Sequence, residues 1–270
     1  MAKIHVIRTG YTLVSPAVPN RKSRRSQIAY TGLFQNRKTR IKVPVKCFLV
    51  EVKGIKVLVD AGWSKKVIEQ PIKSIGFGLW FASEPILKEE ETFDSYFRKI
   101  GIKVSDIDAV VFTHLDVDHV SGAEDVIEAK RFFASKEEIE AAARFDVRYN
   151  KKLWKNIHLE PLAMAETVEA PFGFECDLFG DGSIKVVYSP GHSKGHVAVI
   201  VQDSEDYAII SGDNGYNEAS WNELLLPGPM SDANDMLKSL KWIQEQRKKE
   251  NCIGVFAAHD PEVEMSIIEI

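Results

Sequence analysis

Residues 110–122 read VVFTHLDVDHVSG, an apolar run that ends in two His and two Asp within six positions. Charged and imidazole side chains at the end of a buried strand are costly unless something pairs them. Any fold for this chain must therefore bring partners to that place. Other apolar runs end in the same way: IKVVYSPGH on His192, YAIISGD on Asp213, and GVFAAHD with His259. Four strand ends from one sheet edge can converge, and Asp116, Asp118 and His119 after His114 raise the number of donors to seven. Neutral imidazole and carboxylate are donors that Zn, Fe, Mn or Co accept. Seven suits two ions that share one carboxylate, with a water between them. A lone buried His is more often a hydrogen-bonded core residue, and an Asp after a strand is usually a turn or a cap. The spelling H-x-D-x-D-H, with four of the chain's seven His in such positions, favours metal. His5, His158 and His196 are read as structural or surface residues, with His196 opening the next strand and pointing elsewhere.

The pattern around these positions alternates β-rich and helical stretches. KCFLVEV and IKVLVDAG flank Lys53-Gly54, a hairpin signal. TFDSYFRKIG places Phe93, Phe97 and Ile100 on one helical face, with Gly101 set to end the helix. DAVVFTH is a buried strand, and RFFAS is a short strand leading into a helix where Ser135 and Glu138 have capping-box spacing. Three consecutive strands follow at 184–192, 197–202 and 207–213. A helix with Ser231 as N-cap carries Met236, Leu240 and Ile243 on one face, and the last strand lies at 254–260. Helices covering packed sheets are expected. The chain reads as a single domain over 1–270, with an insertion or flap at about 64–91 that has no clear period.

Composition narrows the partners. With 35 Lys and Arg against 39 Asp and Glu, the net charge of −4 predicts no particular affinity for nucleic acid or an anionic membrane. Basic clusters at Arg21, Lys22, Arg24 and Arg25, and at Arg37, Lys38 and Arg40, are read as solvated loop charge. No apolar run approaches the roughly 20 residues of a membrane span, and MAKIHVIRTG has no signal-peptide core. Three well-separated cysteines, Cys47, Cys176 and Cys252, argue for a reducing compartment. A cytoplasmic protein acting on a small molecule is the expectation, with the oligomeric state left open.

THLDVDHVSG, SPGHSKGH, SGDNGY and AAHD, in that order, resemble the motifs of metallo-β-lactamase fold hydrolases. The likeness runs over most of the chain, from VPVKCFLVEVKGIKVLVDAGW to the final AHD. Within that group the chain is most similar to the N-acyl-homoserine lactonases. The helix FDSYFRKIG before VSDIDAVVFTHLD, the overall length, and Tyr216 three residues after Asp213 carry that closer likeness. The resemblance implies an α/β fold, an αββα sandwich of two mixed β-sheets flanked by helices, with a dinuclear site at one edge. It implies that His114, Asp116 and His192 bind one ion, that Asp118, His119 and His259 bind the other, and that Asp213 bridges them. Asp116 departs from the commonest form of the motif, which has His there.

An Asp can supply an oxygen at about 2.0–2.2 Å from Zn, but it is shorter than His and adds a negative charge. Two divalent ions are expected, Zn first, with Mn or Fe as alternatives because a third carboxylate suits harder ions. Two ions about 3.5–4 Å apart can hold a hydroxide that attacks a carbonyl, opening a lactone ring or a related ester. Tyr216 would donate to the carbonyl oxygen or oxyanion. Asp118 would shuttle a proton to the leaving group in addition to its ligand role. Trp63, Phe77, Leu79, Trp80 and Phe81 would cover an acyl chain or form a local core. No Ser-His-Asp or GxSxG arrangement competes, since GHSKG lacks the elbow spacing. Thioester, aryl ester and phosphodiester hydrolysis are the alternatives on the same fold, and a non-catalytic metal-binding protein is the alternative of another class.

Overall fold

The computed structural model describes residues 1–21, 28–144 and 146–270. Lys22, Arg24 and Arg25 of the first basic cluster lie outside the described residues. The first sheet is built from β1 (Lys3–Val14), β2 (Ile41–Val52), β3 (Ile55–Val59), β4 (Glu84–Ile86), β5 (Ala109–Val111), β6 (Phe132–Ala134) and β7 (Leu159–Pro161). The second contains β8 (Ala165–Glu166), β9 (Phe174–Asp177), β10 (Ile184–Tyr188), β11 (Val197–Asp203), β12 (Asp206–Gly212) and β13 (Cys252–Ala257). A last strand, β14 (Ile267–Glu269), returns to the first sheet beside β1. The first sheet is antiparallel from β1 to β3 and parallel from β3 through β5 and β6 to β7. In the second, β10 and β12 both run antiparallel to β11, and β13 runs parallel to β12. The C-terminal ends of β10, β12 and β13 therefore open on the same edge.

The helices are α1 (Lys66–Glu69), α2 (Pro71–Ile75), α3 (Phe77–Ala82), α4 (Phe93–Ile100), α5 (Val117–Val120), α6 (Lys136–Ala143), α7 (Glu218–Asn222) and α8 (Ala233–Arg247). Side chains on a strand point alternately to its two faces, and here both faces are covered. Phe48, Val50 and Val52 of β2 join Val197, Val199 and Val201 of β11 in the core between the sheets. Cys47 and Leu49 pack outward against Phe93 and Phe97 of α4. On the far side, Ala198 and Ile209 meet Met236, Leu240 and Ile243 of α8. Strands buried on both faces read as continuous apolar runs, which is why KCFLVEV and VAVIVQ stand out in the sequence. The result is the expected α/β sandwich: helix, sheet, sheet, helix. Among the described residues, no helix is long and apolar enough to cross a membrane.

Local signals mostly hold. Lys53 and Gly54 both adopt positive φ, 51° and 83°, as a two-residue hairpin between twisted strands requires. Gly101, at φ 73°, closes α4. Two caps differ from expectation. The N-cap of α8 is Asp232, whose carboxylate accepts from the N–H groups of Asn234 and Asp235, while Ser231 donates its hydroxyl to the Gly191 carbonyl. At α6, Ser135 accepts from the Glu138 N–H, but Glu138 does not reach back to complete the box. Its carboxylate is used between elements. Residues 64–91 form α1 to α3 and β4, with Trp63, Val67 and Ile75 packed on Val45 and Val117.

Candidate metal centre

Seven side chains named from sequence meet at the open edge of the sandwich. His114 lies three residues beyond β5, and Asp116 is the N-cap residue of α5, which carries Asp118 and His119 in its single turn. His192 follows β10, Asp213 directly follows β12, and His259 lies two residues past β13. The expectation of one sheet edge needs correcting. β5 belongs to the first sheet and the other three strands to the second, so the cluster spans the seam between sheets. The turn that carries His192 sits close on α8 because residue 191 is glycine, at φ 133°, where a Cβ would lie 2.3 Å from the backbone of Met236.

The hydrogen bonds assign the imidazole tautomers. His119 Nδ1 faces the Asp60 carboxylate at 2.8 Å, and His259 Nδ1 faces the Pro44 carbonyl at 2.7 Å, so both Nδ1 atoms carry hydrogen. Thr113 donates its one hydroxyl hydrogen to Asp60 and therefore accepts from His114 Nδ1 at 3.0 Å. All three rings thus turn Nε2 into the cluster. His119 Nε2 and His259 Nε2 are 3.3 Å apart. His114 Nε2 is buried and has no hydrogen-bond partner. Ring nitrogens converging at such distances repel unless a cation, a proton or a metal ion, lies among them.

Asp213 sits between two groups of donors. Its Oδ1 is 3.1 Å from His119 Nε2 and 3.3 Å from His259 Nε2, while its Oδ2 is 3.4 Å from His192 Nε2. Asp118 Oδ2 is 3.5 Å from His259 Nε2. Asp116 Oδ2 is 3.1 Å from His192 Nε2 and 3.4 Å from His114 Nε2. His114, Asp116 and His192 form one compact set and Asp118, His119 and His259 another. The two sets, with the shared carboxylate, are a donor set of the size and type that two divalent ions require.

Electrostatics agree with a cation at Asp213. Burial opposes charge on Asp213, but His259, His119 and His192 outweigh it and hold the carboxyl well below its usual range. Burial likewise pushes His119 down, yet Asp213 and Asp60 raise it well above an ordinary imidazole. His192 goes the other way, lowered to about 4 by burial and then by the Arg148 guanidinium. Tyr216 is buried, donates its hydroxyl to Asp213 Oδ2 at 2.9 Å, and stacks on the His259 ring at 5.2 Å. Burial and then Asp213 push the phenol well above its usual range, so it stays protonated.

Several supporting residues escaped the sequence reading. Asp60 closes the run VLVD just as Asp213 closes its own, and that parallel was a usable signal. His196 is fully buried and accepts from the Asp213 N–H through Nε2 at 3.1 Å. Glu138 is fully buried and accepts from Leu115 N–H, the Ser193 hydroxyl and Gly195 N–H. It ties the loop of His114 to the turn of His192. Arg148 pairs with Asp116 through two donors, and no motif pointed to it.

A cavity of about 590 Å³ opens over the cluster, with Asp116, Asp118, Asp213, Tyr216 and His259 in its lining. Its apolar wall includes Val14, Val18, Tyr30, Val43, Leu79 and Met230. Of the aromatic and apolar residues expected to cover an acyl chain, Leu79 reaches this wall, and Trp63 is buried in a local core. Phe77 is 64% exposed. In the second basic cluster, Arg37 pairs with Glu84 and Arg40 donates to the Phe81 carbonyl.

Residues 40–254 match the metallo-beta-lactamase superfamily. The chain belongs to that superfamily. It is 25% identical over 222 residues to the N-acyl homoserine lactonase AttM of Azorhizobium caulinodans, covering 82% of this chain and 83% of that protein. It resembles the structure of an N-acyl homoserine lactone hydrolase with the product N-hexanoyl-L-homoserine at its catalytic metal centre. The TM-score there is 0.73 at 22% identity, with 96% and 94% of the two chains covered. AidC, a dizinc quorum-quenching lactonase, superposes with a TM-score of 0.67 at 15% identity over 97% of this chain and 88% of that one. Membership of the superfamily agrees with the two-sheet sandwich described above.

Proposed function

We propose that this superfamily member is a metal-dependent hydrolase that opens the ring of an N-acyl homoserine lactone or a close relative. The observation that carries this reading is the convergence of imidazole nitrogens and carboxylates at the floor of an apolar cavity. His114, Asp116 and His192 would hold one divalent ion, Asp118, His119 and His259 another, and Asp213 would lie between them. Zinc is the first candidate. Bound there, the ions would supply Lewis acidity to polarise a carbonyl and lower the pKa of water.

The chain's own residues supply the rest. Tyr216, kept protonated beside Asp213, lines the cavity and would turn its one hydroxyl hydrogen from Asp213 Oδ2 to the substrate carbonyl. Asp118 lines the same cavity and would carry a proton to the departing alkoxide. Val14, Val18, Val43 and Leu79 exclude water and offer an apolar surface to an acyl chain. Three unpaired, buried cysteines suit a cytoplasmic setting.

Ring opening releases one proton per turnover, so acid release at constant pH reads it directly. Protein reloaded with Zn, Mn or Fe(II) should release acid from an N-acyl homoserine lactone, and the chelated protein should not. Two bound ions with no acid release would reject the lactone and turn attention to thioesters, aryl esters and phosphodiesters.

A further inference from the structure

Asp116 has a partner that its neighbours in the donor set lack. Arg148 donates from Nε to Asp116 Oδ1 and from Nη2 to Asp116 Oδ2, the second bond at 2.7 Å. Its Nη1 donates to the carbonyl of His192 at 2.7 Å. Three of the guanidinium's five N–H groups are therefore engaged by the site's own residues. Each carboxylate oxygen has two lone pairs. The fork takes one on each, and Oδ2 keeps another on the side of His114 Nε2 and His192 Nε2, 3.4 and 3.1 Å away.

The role of Arg148 is one of charge more than of placement. The backbone at Asp116 is held without it: the Asp116 carbonyl accepts from His119 N–H and Val120 N–H at the start of α5, and the preceding Leu115 N–H is held by Glu138. The arginine is itself anchored by its own N–H to Asp146 Oδ1 at 2.9 Å. Both members of the pair are mostly enclosed, with side chains 19% and 18% exposed, so solvent screens the pair little.

We propose that Asp116 and Arg148 act as one net-neutral unit, the guanidinium cancelling the charge that Asp116 brings to the first donor set. Asp116 then ligates through Oδ2 without loading the subsite with an extra anion, and the subsite behaves as if a neutral donor stood there. Arg148 is a positioning and charge-balancing residue for the metal. The proposal rests on the metal-binding reading above but not on the identity of the substrate.

A double-substitution cycle tests it, read by metal stoichiometry and by Zn(II) affinity of the chelated protein. The wild type should bind two ions. Asp116→His, which leaves Arg148 as an unpaired cation beside a neutral donor, should weaken one of the two sites tenfold or more. Asp116→His combined with Arg148→Met should regain most of that loss, while Asp116→His with Arg148→Lys should not. Melting curves of all chelated variants show whether each is folded, and the lysine variant separates lost charge from lost packing. A Met double variant as weak as Asp116→His would overturn the proposal and leave the metal reading intact. A folded wild type that binds no Zn(II) would overturn both.

Discussion

Lys46 shows how one residue can carry a cost that only its environment reveals. It lies in the middle of β2, is 3% exposed, and donates its ammonium to the Asp260 carbonyl, one residue past His259. Burial lowers its pKa to about 8, against the upward pull of the Asp260 carboxylate and with a further push down from Arg8. An unfolded lysine titrates near about 10.4. Between these values the unfolded chain holds a proton that the folded chain has lost, so the contribution of Lys46 to stability rises with pH across that window. Relative to Lys46→Met, the wild type should therefore gain about 1–2 kcal/mol between pH 7 and pH 9.5. Urea midpoints of both proteins at the two pH values measure it. A difference that does not change with pH would contradict the assignment.

At the scale of elements, the contact that aligns the site is the seating of the β10–β11 turn on the start of α6. Gly195 lies so close that a Cβ there would be 2.0 Å from Glu138 N and 2.4 Å from Ser135 Oγ. That approach lets the Glu138 carboxylate bind the turn and the His114 loop together, which also explains why the expected capping box at α6 is only half made. Gly195→Ala should cost about 1–3 kcal/mol of stability through overpacking. It should also weaken metal binding, because the turn carrying His192 must move. Thermal unfolding together with metal content tests both effects, and an unchanged melting temperature would contradict the close approach.

The whole molecule brings its donors from two sheets. His114 and its loop come from the first, while His192, Asp213 and His259 come from the second. Ions held among them would clamp the open edge of the sandwich and bind the folded chain in preference to the unfolded one. At free metal a hundredfold above the dissociation constant the linkage is worth about 2.7 kcal/mol for each ion, or about 5 °C of melting temperature per ion in a chain of this size. Chelation should lower the melting temperature by about that amount for each ion, and stepwise Zn(II) should restore it with a logarithmic dependence on concentration. A melting temperature indifferent to metal would exclude a clamp across the seam.

The layers of the fold and the seven residues of the cluster were legible because their signals are local. Continuous apolar runs mark strands buried on two faces, and a His or Asp at the end of such a run stands out against the cost of burying it. Lys53-Gly54 and Gly101 were legible for the same reason, since a positive φ constrains the residue that adopts it. Tertiary structure alone decided which sheet each donor belongs to and what stands behind it. Arg148 meets Asp116 across 32 residues, Glu138 meets Leu115 across 23, and Asp60 meets His119 across 59. Partners of that kind follow no period in the chain. They are selected by the demand that every buried charge and donor be paired, and that demand can be met only where the packed elements come together.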